Sequence, residues 1–413
     1  MNESIKKRIE AVRRGEVPEG YKRTDSGIMP TEWPNGTVGR VIEFYGEKST
    51  VNNEYPVLTS ARSGLVLQTD YFDGQVTREE NAGYNVIPYG YVTYRSRSDD
   101  GRFSFNQNQI IDKGIVSCFY PVFRIKEEKS VPKFVLSYLN NYLGRQIVKE
   151  IVGTSQLVLS EKKLAELRLP CPPLAEQEKI AEILATCNRV IELKQQLLEE
   201  KRYQKQWLVK KLLHSTSAWE KTTIGKIATV TTGATPDTKR PEYWGGNIRW
   251  MNSGELNLKR VYEVEGRITD VGLSKSGTKI IPVGCILIGL AGQGKTRGTA
   301  AINYVELCTN QSIAAIHSND KFNSEYLYHY IDSKYLELRK ISSGDGARGG
   351  LNLDLIEGFV VYLPDLETQR RIADVLAVAD KELMLIEQDI EAWQQKKKAL
   401  MQLLLTGLVR VNA

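Results

Sequence analysis

Residues 289–296 (GLAGQGKT) fit the phosphate-binding pattern G-x-x-x-x-G-K-T and follow an apolar run. In a nucleotide-binding P-loop, this pattern opens a helix whose N-terminal amides hold the phosphates. Here the chain continues with Arg297, a glycine and then small or β-branched residues, which disfavour a first helical turn. We therefore interpret the stretch as a glycine-rich hairpin that presents Lys295 and Arg297 to phosphates or base edges. A P-loop NTPase with a coiled-coil arm is the alternative.

A loop in the first half of the chain has the mixture of residues that DNA recognition uses. Residues 94–109 (YRSRSDDGRFSFNQNQ) interleave arginines, amides and aromatic side chains, which can clamp phosphates and contact base edges. A solvated turn with incidental charge would look similar. Because such a loop occurs at a similar place in both halves, we favour DNA binding. The candidate DNA-binding residues are Arg95, Arg97, Arg102, Asn106, Gln293, Lys295, Thr296 and Arg297.

The sequence contains no recognisable catalytic constellation. Its three histidines and five scattered cysteines form no metal-ligand or disulfide pattern, and no Asn/Asp-Pro-Pro-Tyr/Phe step of the adenine-methylating kind occurs. The 413 residues include 56 Lys and Arg against 50 Asp and Glu, a net charge of +6 that permits nucleic-acid binding without establishing it. We expect a chain that is not an enzyme on its own and holds no metal or cofactor.

A repeat organises the whole chain. Residues 172–185 (PPLAEQEKIAEILA) align with residues 364–377 (PDLETQRRIADVLA), 192 positions later. Upstream, Trp33 aligns with Trp219, 186 positions later. Between these anchors, each half consists of short apolar runs separated by Gly, Asn and Asp. The expected order is therefore globular domain, helix, globular domain, helix.

Both helical segments carry a heptad pattern. Alternating steps of four and three from Ile180 and from Ile372 meet apolar residues at seven and nine of ten positions, which predicts a coiled coil. Helices of about 40 residues would be about 60 Å long, so we expect them to pack on each other, antiparallel, rather than only on their own domains. The candidate coiled-coil residues, which the resemblance described below also makes candidates for partner docking, are Gln177, Ile180, Leu184, Ile191, Leu198, Leu208, Gln369, Ile372, Leu376, Leu383, Ile390, Leu400 and Leu404.

These patterns predict an α+β fold with two β-rich domains, two long helices and a pseudo-twofold internal repeat. The predicted boundaries are an N-terminal extension (1–20), a first β-rich domain (21–171), a first helix (172–215), a second β-rich domain (216–363) and a second helix (364–413). Strands are expected near residues 57–58, 86–87, 91–94, 115–116, 122–125, 224–232, 248–250, 286–288 and 313–316. Shorter helical stretches are expected over 132–151 and 324–341.

Several motifs together point to a known family. They are residues 21–30 (YKRTDSGIMP) before Trp33, the two helix starts of the form Pro-x-Leu-x-x-Gln-x-x-Ile-Ala-x-x-Leu, residues 292–298 (GQGKTRG), Asn310-Gln311 and the closing residues 403–411 (LLLTGLVRV). On these motifs the chain, from about Tyr21 to its end, resembles the specificity (S) subunit of type I restriction–modification enzymes. Residues 1–20 lie outside the resemblance.

The resemblance implies a division of labour among subunits. Each β-rich domain would be a target-recognition domain that reads one half of a split site in double-stranded DNA, while the coiled coil sets the gap and docks two methyltransferase (M) subunits. Those subunits would bind S-adenosylmethionine and methylate adenine, and restriction (R) subunits would join and cleave DNA using ATP and Mg²⁺. The expected location is cytoplasmic, without membrane contact. A coiled-coil adaptor with no DNA role is a second alternative.

Overall fold

The computed structural model describes residues 3–24, 27–62, 64–71 (Tyr71 without its side chain), 80–143, 157–292, 294–342 and 350–411. The chain forms two compact units. The first unit contains Met1–Lys194 and Ile390–Ala413, and the second contains Gln195–Asp389. Among the described residues, no helix has both the length and the apolar character that crossing a membrane requires.

The first unit contains a four-stranded antiparallel sheet flanked by short hairpins and helices. Its strands are β1 (Tyr21–Thr24), β2 (Gly27–Pro30), β3 (Asn35–Thr37), β4 (Ile42–Tyr45), β5 (Leu58–Ala61), β6 (Gly64–Leu67), β7 (Asn85–Pro88), β8 (Val92–Tyr94), β9 (Arg97–Ser98), β10 (Phe105–Gln107), β11 (Lys113–Val116), β12 (Val122–Ile125), β13 (Leu157–Val158) and β14 (Arg168–Pro170). Its helices are α1 (Glu3–Arg13), α2 (Val38–Val41), α3 (Gln68–Tyr71), α4 (Pro132–Asn141), α5 (Glu161–Glu166) and the start of α6 (Leu174–Leu212). The central sheet has the order β10-β8-β12-β4.

The second unit contains a five-stranded sheet. Its strands are β15 (Glu220–Thr223), β16 (Val230–Thr232), β17 (Trp244–Met251), β18 (Arg260–Val261), β19 (Arg267–Ile268), β20 (Ile286–Gly289), β21 (Ala300–Asn303), β22 (Cys308–Thr309), β23 (Ile313–Ile316) and β24 (Val360–Leu363). Its helices are α7 (Ile224–Ile227), two 3₁₀ turns (Pro241–Tyr243, Ser253–Leu258), α8 (Asp270–Lys275), α9 (Ser324–Ser333), α10 (Tyr335–Ile341), α11 (Leu353–Glu357) and most of α12 (Leu366–Leu405). The sheet order is β16-β23-β20-β21-β18.

The two sheets are copies of one arrangement. Strands β4, β12, β8 and β10 occupy the places of β16, β23, β20 and β21, and the second sheet adds β18, which pairs parallel to β21. The short helices α2 and α7 are also equivalent, and each packs through a glycine. A Cβ atom on Gly39 would lie 2.9 Å from that of Ala165, and one on Gly225 would lie 3.0 Å from that of Glu357. The fold class and its internal repeat are confirmed.

Three predicted elements differ from the structure. The stretch 224–232, expected as a strand, begins with α7, because buried Ile224 and Ile227 share one face of a helical turn packed beside Glu357. The helix expected over 324–341 is divided into α9 and α10 at Lys334. The helix expected over 132–151 ends at Asn141 in the structure, and its predicted part at 144–151 lies outside the described residues.

The long helices α6 and α12 contain 39 and 40 residues. Every seam position predicted from Ile180 and Ile372 is buried or half-buried. In the first unit, Ile180 near the start of α6 shares an apolar cluster with Leu404 near the end of α12. In the second unit, Leu212 near the end of α6 shares a cluster with Ile372 near the start of α12. Within each unit the two helices therefore run antiparallel, and a supercoil remains a prediction.

Candidate nucleic-acid interface

Residues 290–299 form the connection of a β-hairpin between β20 and β21. The strands pair antiparallel, with Ile286 opposite Ile302 and Ile288 opposite Ala300. A strand thus begins at Ala300, whereas a P-loop would require a helix after Thr296. Residues 289–296 therefore do not have the geometry of a nucleotide-binding P-loop. The glycine-rich hairpin predicted from the sequence is confirmed.

The hairpin connection is held in shape by its own backbone and by α10. Gly292 and Gly298 adopt φ values of +124° and +81°, which strongly favour glycine. The Thr299 hydroxyl donates to the Lys295 carbonyl oxygen at 2.6 Å, and Arg339 on α10 donates to the Gly294 carbonyl oxygen at 2.7 Å. These contacts involve the main chain of the loop, and the Lys295 side chain is exposed. Thr296 and Arg297 are half-buried, and Gln293 lies outside the described residues.

The equivalent connection in the first unit spans residues 95–104, between β8 and β10. Its arginines Arg95, Arg97 and Arg102 are exposed and line a cavity of about 570 Å³ together with Arg62 and the carboxylates of Asp99 and Asp100. Four guanidinium groups against two carboxylates make the lining net positive. Arg97 also lies over the Phe119 ring, 4.8 Å from its centroid, an arrangement in which cation and aromatic face attract.

Asp100 holds the loop 95–104 in shape through hydrogen bonds and neutralises only part of the positive charge of the cavity. Its carboxylate accepts hydrogen bonds from the Arg102 backbone N–H at 3.1 Å and from the Ser98 hydroxyl at 3.0 Å, and these donors lower the pKa of Asp100. It also pairs with Arg62. Arg95, Arg97 and Arg102 remain at the cavity wall as the candidates for phosphate contact.

Asn106, predicted as a DNA-binding residue, has an internal role. Its amide donates to the Ser60 hydroxyl and to the Ala61 carbonyl oxygen, both at 2.8 Å. These bonds tie β10 to β5 and use both amide hydrogens. The structure therefore favours the arginines over Asn106 for contact with bases, because the amide donors are already occupied.

Gln177 and Gln369, predicted to dock a partner, are 1% exposed. Gln177 accepts from the Val131 backbone N–H at 2.9 Å and donates to the Pro172 carbonyl oxygen at 2.8 Å. Gln369 accepts from the Asn323 backbone N–H at 2.8 Å and donates to the Pro364 carbonyl oxygen at 2.8 Å. Each glutamine thus joins a long helix to the N-terminus of α4 or α9, and burial keeps both from meeting a second protein.

Sequence reasoning missed a cluster that anchors the first domain. Arg410 makes two bonds to the Glu176 carboxylate, of 2.7 Å from Nε and 2.9 Å from Nη2, and the Trp33 indole N–H donates to the same carboxylate at 3.1 Å. Glu176 is 3% exposed, and its hydrogen bonds raise the pKa of Arg410. All three residues lie within motifs of the resemblance or beside them, but their pairing is not visible from their spacing.

The comparisons with known proteins agree with this architecture. A sequence model of the type I restriction modification DNA specificity domain matches residues 31–200 and again residues 216–392, one match for each copy of the repeat. Since the matches cover well over half of the chain, the chain belongs to this family. The prediction of a type I specificity subunit, a DNA-binding protein, is favoured over the NTPase and adaptor alternatives.

Individual relatives extend over most of the chain. A Methanocaldococcus jannaschii protein named as the MjaX type I restriction enzyme specificity subunit is 24% identical over 95% of this chain and 97% of its own length. The EcoR124I/EcoR124II specificity subunit of Escherichia coli is 25% identical over 78% of each chain. The S subunit of a type I restriction–modification system from M. genitalium is similar in fold, with a TM-score of 0.57, 13% identity, and coverage of 90% of this chain and 96% of that one.

Proposed function

We propose that each recognition domain reads one half of a split DNA site through its hairpin, and that the helix pair sets the gap between the halves. The observation that carries this proposal is the equivalence of the connections 95–104 and 290–299. Both join equivalent strands of one repeated sheet, and both present cations at the same end of that sheet. DNA affinity depends mainly on such phosphate contacts, while base contacts give specificity.

The same proposal assigns the chemistry to partner subunits. Two M subunits would carry S-adenosylmethionine and R subunits would use ATP and Mg²⁺, leaving this chain non-catalytic and without a cofactor. Support for docking on the helices comes from their outward faces, since large apolar side chains there are exposed, which commonly marks an interaction surface. These side chains are Leu193, Leu197, Tyr203, Trp207, Val375, Val378, Met384 and Leu385.

The proposed role of the hairpin in DNA binding is tested by the variant Lys295→Ala in the complex with methyltransferase. Loss of one phosphate contact should weaken DNA binding and reduce the slope of log K against log[salt] by about one. Lys321→Ala is the matched control, because Lys321 is exposed and follows the opposite end of β23. Equal slopes for the two variants would contradict the proposal, and loss of an ATP affinity possessed by the unmodified chain would favour nucleotide binding.

The proposed docking of the methyltransferase subunit on the long helices is tested by the variant Trp207→Ser. Trp207 is 57% exposed on α6, so its replacement should leave the fold intact and reduce co-purification of the methyltransferase subunit. Tyr89→Ser is the control, since Tyr89 is 61% exposed and belongs to the turn between β7 and β8 rather than to either long helix. Unchanged co-purification of the Trp207 variant would exclude this face from docking.

A further inference from the structure

Arg260 lies at a junction of four elements of the second unit. It belongs to β18 and is 18% exposed in its side chain. Its Nη1 is 2.8 Å from Glu325 Oε2 on α9, and its Nη2 is 3.0 Å from Asp380 Oδ2 on α12. Asp380 also pairs with Lys205 on α6. The Arg260 guanidinium group therefore connects the five-stranded sheet of the second unit and α9 to the pair of long helices, α6 and α12.

The charges of this junction are withdrawn from water. Asp380 is 15% exposed. Burial alone would raise the pKa of Asp380, but Lys205 and Arg260 together lower it, so the carboxylate stays charged. His329 packs against the same carboxylate at 3.9 Å and is neutral there, because burial lowers the pKa of its imidazole to about 3. The Asp380 carboxylate is thus paired with Lys205 and Arg260, and Arg260 is paired in addition with Glu325, so these charges are balanced by one another rather than by water.

The first unit has different residues at the equivalent helix positions. The helix repeat, with its offset of 192, places Asn188 where the second unit has Asp380, and Asn188 is exposed. Within the described residues of the first unit, the four-stranded sheet has no strand in the place of β18. The junction is therefore a feature of the second domain rather than of the repeat.

A charge pair that is largely withdrawn from water favours one geometry strongly. The planar guanidinium group matches carboxylates in a defined orientation, and any rotation of the domain that separates Arg260 from Asp380 leaves buried charges without partners. We propose that Arg260 is a positioning residue that fixes the second recognition domain on the helix pair and thereby narrows the range of gap lengths accepted in DNA. This inference rests on the proposed function of the helix pair.

The neighbouring residue supplies a matched control. Lys259 immediately precedes β18 and its Nζ is 2.7 Å from Asp332 Oδ1 on α9, but this pair stays within the domain and the lysine side chain is 43% exposed. Lys259→Met removes an ion pair at the residue next to Arg260 without changing any contact to the helix pair. Arg260→Met removes the junction. Arg260→Met with Asp380→Asn removes both charges of the Arg260–Asp380 pair and introduces the asparagine that the first unit carries at the equivalent position.

The test is methylation by the complex with methyltransferase on a library of split sites whose gaps differ by single base pairs. In Arg260→Met and in the double variant, the preference for the best gap over its neighbours should fall about fivefold, the effect of losing a coupling of moderate size. The half-site sequences should not change. Arg260→Lys should restore part of the preference, and Lys259→Met should keep all of it.

Two contrary outcomes have different meanings. Equal loss of methylation at every gap, in both the single and the double variant, would make Arg260 a purely structural residue and overturn this inference. Absence of any gap preference in the unmodified complex would instead overturn the proposed function. Far-ultraviolet circular dichroism of each variant confirms that the fold is retained, and the double variant serves if Arg260→Met alone does not fold.

Discussion

Each unit contains its own copy of the same sheet, a short helix packed through a glycine and a buried glutamine. The two units differ in the contacts that attach the domain to the long helices α6 and α12. In the first unit, Trp33 of the domain donates to Glu176 in the first turn of α6, and Arg410 in the closing segment bonds to both Glu176 and the domain residue Glu32. In the second unit the attachment is Arg260 on Asp380, about four turns into α12. The shared features explain how one fold could be used twice, and the differences give each domain its own anchor.

The anchor of the first unit should have the largest effect on stability. Arg410→Met leaves the buried Glu176 carboxylate without its cation, which should reduce the free energy of unfolding by about 3 kcal/mol. Urea unfolding followed by circular dichroism measures this change. Arg371→Met is the control, because its 3.8 Å pair with Glu367 is exposed and should contribute less than about 1 kcal/mol. Equal effects would contradict this prediction, because Arg410 would then contribute no more than an exposed ion pair.

The second unit should be the acid-sensitive one, since all three histidines lie in it. Burial lowers the pKa of His329 from 6.5 to about 3. Between these values the unfolded chain binds a proton that the folded chain does not, so stability falls as the pH falls below 6.5. The expected loss is about 2 kcal/mol at pH 5, taking about 1.4 kcal/mol per pH unit. The groups facing His329 are Asp380, Arg260, Lys205 and Tyr328.

His329→Gln checks this prediction by urea unfolding at pH 7 and at pH 5. The variant should lose less stability on acidification than the unmodified chain, because glutamine does not titrate. Should both proteins respond alike, another group would be the source of the acid sensitivity.

The smallest expected effect concerns the stability of a dimer formed by a truncated chain, and it depends on the lysines in the seam of α6. Lys201 pairs with Glu382 at 2.7 Å and Lys205 pairs with Asp380, whereas the equivalent positions of the first helix are Val190 and Asn188. A chain ending near Ser215 should dimerise through its single helix, with its lysines facing neutral residues. Val190→Glu with Asn188→Asp should tighten this dimer by about 0.5 kcal/mol for each restored pair, measured by analytical ultracentrifugation. A monomer in both cases would contradict the pairing of the helices.

The sequence predicted those features that depend on repeated local patterns. The heptad seam at Ile180 and Ile372, the hairpin at residues 289–299 and the repeat itself follow from periodicity and from glycine placement. The pairing of Arg410 with Glu176, or of Arg260 with Asp380, could not be predicted, because these partners are more than 100 positions apart and each side chain alone resembles an exposed charge. Gln177 was misassigned for a related reason, since a polar residue near a helix start gives no indication of its burial.

The central claim, that the helix pair measures the gap, is tested most directly by lengthening both helices. One heptad inserted after Leu198 and another after Ile390, 192 positions later, keeps the seam in register and adds about 10.5 Å to each helix. Methylation mapping on split sites with varied gaps should then show the same half-sites with a gap longer by up to about three base pairs, at about 3.4 Å each. The added length also turns one half-site by about 100°, so weaker activity is expected. Retained activity at the unmodified gap would contradict the account.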